Sequence, residues 1–131
     1  MQRTKGQAGE REVCKIIADL TGHEVKRRVR NHAGDSDVLG VPGWSIEVKR
    51  YARATPGMIE SWWAQTVVQA GQSLLPVLFY RVNRGDWRAV WSIAPGLTHQ
   101  RAEMWGGGYE WTAEGSPQAW AAVARNLSDV P

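Results

Sequence analysis

The first regular pattern along the chain is that of an amphipathic helix. Four apolar residues follow the spacing i, i+3, i+4 and i+7, which places them on one side of a helix: Val13, Ile16, Ile17 and Leu20. We therefore predict a helix over residues 7–20, preceded by a loose basic arm. Thr55-Pro56 and Ser116-Pro117 each combine a capping residue with a proline suited to the first helical position. They predict further helices over 56–72 and from 117 to about 127.

Between the helices, the alternation of apolar and polar residues and short apolar runs are typical of strands. We predict strands over 23–30, on either side of the turn at 42–43, over 74–82 with its regular part after Pro76, over 87–93, and a short one over 109–112. Residues 95–108 are expected to be a loop. The order that results begins with a helix, three strands, a second helix and two strands.

Residues 35–49 carry two kinds of charge on a predicted hairpin. Because side chains alternate between the faces of a strand, Glu47 and Lys49 share one face, about 6–7 Å apart, while Ile46 and Val48 point into a core. Two carboxylates and a lysine beside a turn suit metal-dependent phosphodiester cleavage. The same Glu-Val-Lys pattern is also typical of any half-buried strand that exposes charge to water.

The turn decides whether an aspartate joins this face. Pro42-Gly43 favours a type II turn, with the glycine at positive φ. The simplest register places Asp37 opposite Val48, on the core face. A register shifted by one residue, or a bulge, brings Asp37 to the face of Glu47. We expect the shifted register.

Two further groups of charges have more than one interpretation. Glu10 lies on the edge of the apolar face of the first helix or within it, which is costly unless the carboxylate is paired or binds a cation. The alternative is a first-turn glutamate that the helix dipole favours. On the predicted strand over 23–30, three cations share one face and suit a phosphate backbone, although an edge strand also carries charge against aggregation: Lys26, Arg28 and Arg30.

Composition limits the function classes that these patterns allow. With 131 residues, 43% of them hydrophobic, the chain suits one domain with a core of its own. The net charge of +3 is compatible with nucleic acid without being specific for it. Cys14 is the single cysteine, which excludes a disulfide framework, and no signal peptide or membrane-length apolar run is apparent, so a cytoplasmic setting is expected. Eight tryptophans indicate core or subunit contacts.

These elements together resemble the PD-(D/E)XK nuclease superfamily, whose core is αβββαβ. Its motif elements are found at Glu10 in the first helix, at Asp37 where a strand begins, and at Glu47-Val48-Lys49. Within the superfamily, the chain is most similar to the archaeal-type Holliday junction resolvases that some phages also carry. The resemblance covers about residues 5–93 of a single nuclease domain over 1–131, with 94–131 as a C-terminal extension. Asp35 is an additional acid and an alternative ligand to Asp37, and Ser36 replaces the superfamily's proline.

The resemblance implies a restriction-endonuclease-like α/β fold, with a central mixed sheet flanked by helices. It also implies a metal-dependent DNA endonuclease that resolves four-way junctions by symmetric nicking, and hence a C2 homodimer. Asp37 and Glu47, with a main-chain carbonyl such as that of Val48, would bind one or two Mg²⁺ ions, for which Mn²⁺ would substitute. Lys49 would orient the attacking water, and Glu10 would complete the metal site.

The DNA contacts are expected to be contacts to phosphate. Gln65 on the second helix would touch a phosphate or a water on the metal, and five cations would grip the backbone without reading bases: Lys26, Arg28, Arg30, Arg50 and Arg53. Two alternatives are a restriction or repair endonuclease of the same superfamily that acts on linear duplex, and a non-catalytic DNA-binding protein with a decayed site. The intact set of two acids and a lysine argues against the second alternative.

Overall fold

The structure is a computed structural model and describes residues 2–28, 37–93 and 108–129. No helix in this part of the chain is long and apolar enough to cross a membrane. The elements follow in this order: α1 (Gln2–Thr21), β1 (Lys26–Arg27), β2 (Val38–Leu39), β3 (Trp44–Tyr51), α2 (Pro56–Ala70), β4 (Leu75–Val82), β5 (Arg88–Ser92), a 3₁₀ helix (Tyr109–Trp111), β6 (Thr112–Gly115) and α3 (Pro117–Asp129).

The strands of the described residues form one six-stranded sheet, in chain order from β1 to β6. β3 and β4 run parallel and are connected by α2, whereas every other neighbouring pair is antiparallel. α1 and α3 pack on one face of this mixed sheet, and α2 packs on the other. The predicted α/β fold with a central mixed sheet flanked by helices is therefore confirmed.

The larger core lies between the sheet and the helices α1 and α3. Ile46 and Val48 of β3 point to this face because they are two residues apart on a strand. Val13 and Ile17, one helical turn apart on α1, are fully buried against them. Burying each such side chain contributes about 1.5–3 kcal/mol, so this contact fixes α1 on the sheet.

Trp120 of α3 belongs to the same core. It is fully buried, and its ring stands edge-on to the rings of Trp44 and Phe79, with centroids 5.3 Å apart in both pairs. Ser116 caps α3 as predicted, since the Ala119 N–H donates to Ser116 Oγ at 3.1 Å. The segment expected to be a C-terminal extension thus supplies an edge strand, β6, and part of the main core.

The smaller core lies under α2, on the opposite face of the sheet. Trp63 of α2 is buried there together with Leu78 and Tyr80 of β4. Across the parallel β3–β4 ladder, Glu47 pairs with Leu78 and Lys49 pairs with Tyr80. Directly paired residues share a face, so the predicted acid and lysine lie on the α2 face.

Several element boundaries differ from the prediction. α1 begins at Gln2, so the predicted loose arm is helical from there on, which fits the high helix propensity of its Gln, Arg and Lys residues. α2 ends at Ala70, where Gly71 at φ +66 stops it. β1 is shorter than predicted, and residues 29–36 lie outside the described residues. The strand predicted over 109–112 is a 3₁₀ helix followed by β6, which pairs with β5.

β4 also begins earlier than predicted and includes Pro76. The N–H of Leu75 donates to the Gly43 carbonyl on the β3 side at 2.9 Å. Because successive N–H groups of a strand point to opposite sides, the N–H that Pro76 lacks would point toward β5. β5 pairs with β4 only from Val77 onward, so the missing donor costs no ladder bond.

Candidate active site

The β2–β3 hairpin brings Asp37 level with Glu47. Val38 pairs with Ile46, and the Asp37 N–H donates to the Ile46 carbonyl at 3.0 Å. Asp37 precedes Val38 and Glu47 follows Ile46, so Asp37 faces Glu47 in this antiparallel pair. The shifted register that we expected is confirmed.

Gly40 is the extra residue that produces this register. Two residues on the β2 side, against Ser45 alone on β3, separate the Val38–Ile46 pair from the turn. Gly40 has φ +128, a conformation open to glycine. A Cβ at this position would lie 2.3 Å from the Glu24 carbonyl oxygen. The hairpin thus depends on glycine for its conformation and for its close contact with the chain before β1.

Glu47 is buried, and its hydrogen bonding is incomplete. It is 5% exposed, its side chain shares a hydrogen bond with Asp37, and its Oε2 lies 3.9 Å from Lys49 Nζ. Its Oε1 has no hydrogen-bond partner among the described residues. Burial and, next, the charge of Asp37 raise the pKa of Glu47 to about 8. A buried carboxylate with an unpartnered oxygen beside a second acid suits a bound cation.

The main chain of β3 holds Asp37 in place. Its Oδ2 accepts a hydrogen bond from the Val48 N–H at 3.0 Å. Val48 follows Glu47 directly, so this bond fixes the first carboxylate to the strand that carries the second. Fixed side chains of this kind are what a preorganised site requires.

Glu10 reaches the same region from α1. It is 9% exposed, and its Oε1 lies 3.5 Å from Arg27 Nη1 on β1. Burial and, next, the charge of Asp37 raise the pKa of Glu10, while Arg27 opposes that rise. Glu10 in turn contributes to the raised pKa of Glu47. The three acids predicted as catalytic therefore lie close enough to act on one another electrostatically.

Arg27 is a site residue that the sequence analysis missed. It pairs with Val38 across the β1–β2 ladder and so points to the core side, whereas its neighbours Lys26 and Arg28 point the other way. Strand alternation could have found it, because an arginine on the core side of a strand needs a carboxylate. Glu10 on the apolar edge of α1 is that carboxylate.

Comparisons with known proteins agree with this geometry. The model of a family described as "Phage putative PDDEXK endonuclease" matches residues 1–105. The chain belongs to this family. Searches among curated proteins and among solved structures gave no match. The matched range contains all four predicted catalytic residues, Glu10, Asp37, Glu47 and Lys49. The match identifies this PDDEXK family member as a nuclease. The PD-(D/E)XK superfamily is thereby confirmed, and junction resolution stays a prediction.

PD-(D/E)XK nucleases generally use divalent metals, and the donors present here fit one. Asp37 and Glu47 offer carboxylate oxygens, the ligands that hard divalent cations prefer. One of them is the Oε1 of Glu47, which has no partner in the part of the chain that the structure describes. Among the described residues, no three histidine, cysteine or acidic side chains are already grouped to hold an ion. Asp35, the alternative ligand, lies outside those residues. The two-carboxylate pair is thus the metal-binding candidate of this PDDEXK endonuclease.

Some of the predicted phosphate contacts lie near the acids. Lys26 and Arg28 flank Arg27, and the Arg28 N–H donates to the Asp37 carbonyl at 3.0 Å. The Lys26 side chain is 72% exposed, with Glu24 at 4.0 Å. These cations therefore stand beside the β2 end of the site. Arg30 lies outside the described residues.

Three other predicted DNA contacts have different positions. Arg50 lies on the α1 face of β3, opposite to Glu47, and its Nη1 is 3.9 Å from Glu12 Oε2. Gln65 lies on the exposed side of α2, and Arg53 is exposed between β3 and α2. Arg50 therefore lies on the face of the sheet opposite to Asp37 and Glu47, whereas Gln65 and Arg53 are exposed to solvent.

Proposed function

We propose that this PDDEXK family member is a Mg²⁺-dependent DNA endonuclease in which Asp37 and Glu47 hold the metal. The observation that carries the proposal is the buried Oε1 of Glu47, which has no hydrogen-bond partner among the described residues; Asp37 lies next to it, and Lys49 Nζ is 3.9 Å from Oε2. Without a metal, Glu47 must either take up a proton or carry a negative charge away from water, and both are unfavourable near neutral pH. A hard divalent cation relieves it, and Mn²⁺ is expected to substitute for Mg²⁺.

The reaction is hydrolysis of a phosphodiester, in which water attacks phosphorus and one ester oxygen leaves. When bound, the divalent cation supplies positive charge beside the phosphate and lowers the pKa of water. Lys49 orients the attacking water and stabilises the negative charge that develops on the phosphate oxygens. Asp37, fixed by the Val48 N–H, and Glu47 provide the ligands, and Glu10 completes the negative site from α1.

The substrate that we propose is a four-way DNA junction. The support is the similarity of Glu10, Asp37 and Glu47-Val48-Lys49 to the junction-resolving nucleases. Contacts from Lys26 and neighbouring cations to phosphate fix the DNA without reading its sequence. Two symmetric cuts require two active sites, so the protein is proposed to act as a C2 homodimer.

Cleavage of a synthetic four-way junction, compared with a linear duplex of the same sequence, tests the proposal. With Mg²⁺, the wild type should nick the junction symmetrically and the duplex far more slowly. Glu47→Ala should lower the cleavage rate by roughly 10²-fold or more, as the loss of one electrostatic partner of the transition state does. Glu110→Ala, which removes an exposed glutamate, should cut at the wild-type rate.

The other outcomes point to the alternatives. Equal cleavage of junction and duplex would support an endonuclease of restriction or repair type. Absence of cleavage with both Mg²⁺ and Mn²⁺ would support a non-catalytic DNA-binding protein. Nicking of the junction by the Glu47→Ala variant at the wild-type rate would refute the mechanism.

A further inference from the structure

One carboxylate on α1 is bound to two strands and to the residue that precedes a third. Glu12 Oε1 accepts hydrogen bonds from Arg81 Nη1 at 2.7 Å and from Trp87 Nε1 at 3.0 Å. Its Oε2 lies 3.9 Å from Arg50 Nη1. Arg50 belongs to β3, Arg81 to β4, and Trp87 directly precedes β5. Glu12 therefore connects α1 to the two central strands of the sheet and to the start of β5.

The donors of this cluster are themselves held in place. Arg81 Nε donates to the Gly85 carbonyl at 2.8 Å, so its guanidinium is bound at two points. Trp87 is buried, at 8% exposure. Hydrogen bonds of charged groups are about twice as strong as neutral ones, and a planar guanidinium adds directional specificity. Because these donors are held in place, they cannot readily move with Glu12 if α1 rotates.

α1 also lies close to the sheet at this point. A Cβ added to Gly9 would lie 3.2 Å from Arg50 Cβ and 3.3 Å from Trp87 Cη2. Two of the residues that bind Glu12 therefore also limit the position of the helix backbone, one turn before Glu12. The contact defines both the distance of α1 from the sheet and its rotation.

That rotation determines where Glu10 stands. Residues two apart on a helix lie about 200° apart around its axis, so Glu10 points toward Arg27 of β1 while Glu12 points toward Arg81. The carboxylates lie about 5–6 Å from the axis, so a rotation of 10° moves Glu10 by about 1 Å. A displacement of about 1 Å in a catalytic group can lower a rate by roughly 10²-fold.

We propose that Glu12 is a positioning residue for Glu10. By binding Arg81, Trp87 and Arg50, it fixes the rotation of α1 and so holds the Glu10 carboxylate against Arg27, within electrostatic range of Asp37 and Glu47. Glu12 does not itself touch the metal or the DNA in this scheme. The inference rests on the proposed nuclease function, because Glu10 has a catalytic position to keep only if the acids form an active site.

A double-mutant cycle on cleavage rate tests the inference directly. Single-turnover rates are measured for the wild type, Glu12→Ala, Glu10→Ala and the double variant, with junction DNA and Mg²⁺ in excess. Glu12→Ala alone should lower the rate by roughly 10²-fold. In the Glu10→Ala background it should cause no further loss, since a residue that acts only through Glu10 has nothing left to position. Affinity for the junction, measured in EDTA, should stay within about two-fold of wild type.

Two controls separate positioning from general damage. Asp19→Ala removes an exposed acid from the same helix and should cleave at the wild-type rate. Trp87→Phe removes one donor of the cluster but keeps an aromatic ring. It should give a smaller loss that again disappears in the Glu10→Ala background, and it completes the cycle if Glu12→Ala does not fold at the assay temperature.

The failure of this inference differs from the failure of the proposed function. A wild type that cleaves, together with losses that multiply in the double variant, leaves the nuclease intact and overturns the role of Glu12. If Glu12→Ala cleaves at the wild-type rate, the role of Glu12 is likewise overturned while the nuclease function stands. A wild type that cleaves no DNA overturns the nuclease, and the positioning role falls with it.

Discussion

Glu47→Gln should stabilise the metal-free protein while abolishing cleavage. Glu47 is 5% exposed, with one oxygen unpartnered among the described residues and Asp37 as a hydrogen-bond partner. The glutamine is neutral at every pH, and its amide can donate to Asp37 as the protonated acid does. The substitution therefore removes the cost of proton uptake by Glu47, or of its buried charge at higher pH, but keeps the shape and the hydrogen bond of the side chain.

The size of the effect depends on pH, and its sign follows from the raised pKa. The pKa of Glu47 is 4.5 in a free side chain and about 8 in the folded protein. Between these values the folded state binds more protons than the unfolded state, so the free energy of unfolding falls as pH rises. Each pH unit costs about 1.4 kcal/mol, which gives about 3 kcal/mol at pH 7 and about 5 kcal/mol above pH 8. Below pH 4.5 the penalty vanishes.

Denaturant unfolding in EDTA from pH 5 to pH 9 measures this difference. Glu47→Gln should exceed the wild type by less than about 1 kcal/mol at pH 5 and by about 3 kcal/mol at pH 7, or roughly 10 °C in Tm. Glu110→Gln, the same change at an exposed glutamate, should show no such gap. Groups that titrate alike in both proteins cancel in the comparison.

Adding Mg²⁺ provides the second half of the same test. Binding at 100 times Kd should stabilise the wild type by about 2.7 kcal/mol, because the ion binds the folded state alone. Glu47→Gln should gain far less, since it has lost a charged ligand. Equal stability of the two proteins at pH 8 in EDTA, or a gap that widens toward acid, would refute the account of Glu47 given above.

Three further outcomes are expected. Lys49→Ala should lower single-turnover cleavage by roughly 10²–10⁴-fold while Mg²⁺ still raises its Tm; loss of both would assign Lys49 to metal binding rather than to the water. Gly40→Ala should cost about 2–4 kcal/mol of unfolding free energy in denaturant, because of its positive φ and the 2.3 Å contact. Gly43→Ala, at φ +84 with nothing within 4 Å of the added Cβ, should cost clearly less, and equal costs would exclude the contact with Glu24 as the cause. Lys26→Ala should weaken junction binding and reduce the slope of log affinity against log salt by about one; an unchanged slope would remove Lys26 from the DNA interface.

The sequence predicted the hairpin register only as a choice between two. Local turn chemistry at Pro42-Gly43 favours the simple register, and the acids favour the shifted one. What decides between them is Gly40, whose backbone packs against the carbonyl of Glu24. That contact joins residues far apart in the chain, so no local pattern contains it. The functional requirement that Asp37 face Glu47 predicted the right answer without its cause.

Strand alternation accounts for the positions of two arginines. Arg27 shares its strand face with core residues, which agrees with its contact to Glu10. Arg50 follows Ile46 and Val48 on the α1 face, where it meets Glu12. Both positions follow from the period of two in a strand. The assignment of Arg50 to phosphate used its charge alone and remains a prediction.

Local sequence patterns did not predict which residues the last helix packs against. Ser116-Pro117 predicted where α3 begins, and the structure agrees. Nothing near Trp120 in sequence indicates that its ring meets Trp44 and Phe79, because both partners lie on strands that are distant in the chain. Helix propensity and capping are local properties, whereas the choice of packing partner depends on the whole sheet.

The position of Trp120 limits how far this nuclease can be shortened at its C-terminal end. The family match ends at residue 105, yet Trp120, Ala121 and Ala124 fill part of the main core. A gene trimmed at the end of the match would leave Trp44 and Phe79 facing water, and its product is expected to aggregate rather than to yield a minimal enzyme. The end of the family match and the end of the folded domain therefore lie at different residues of this chain.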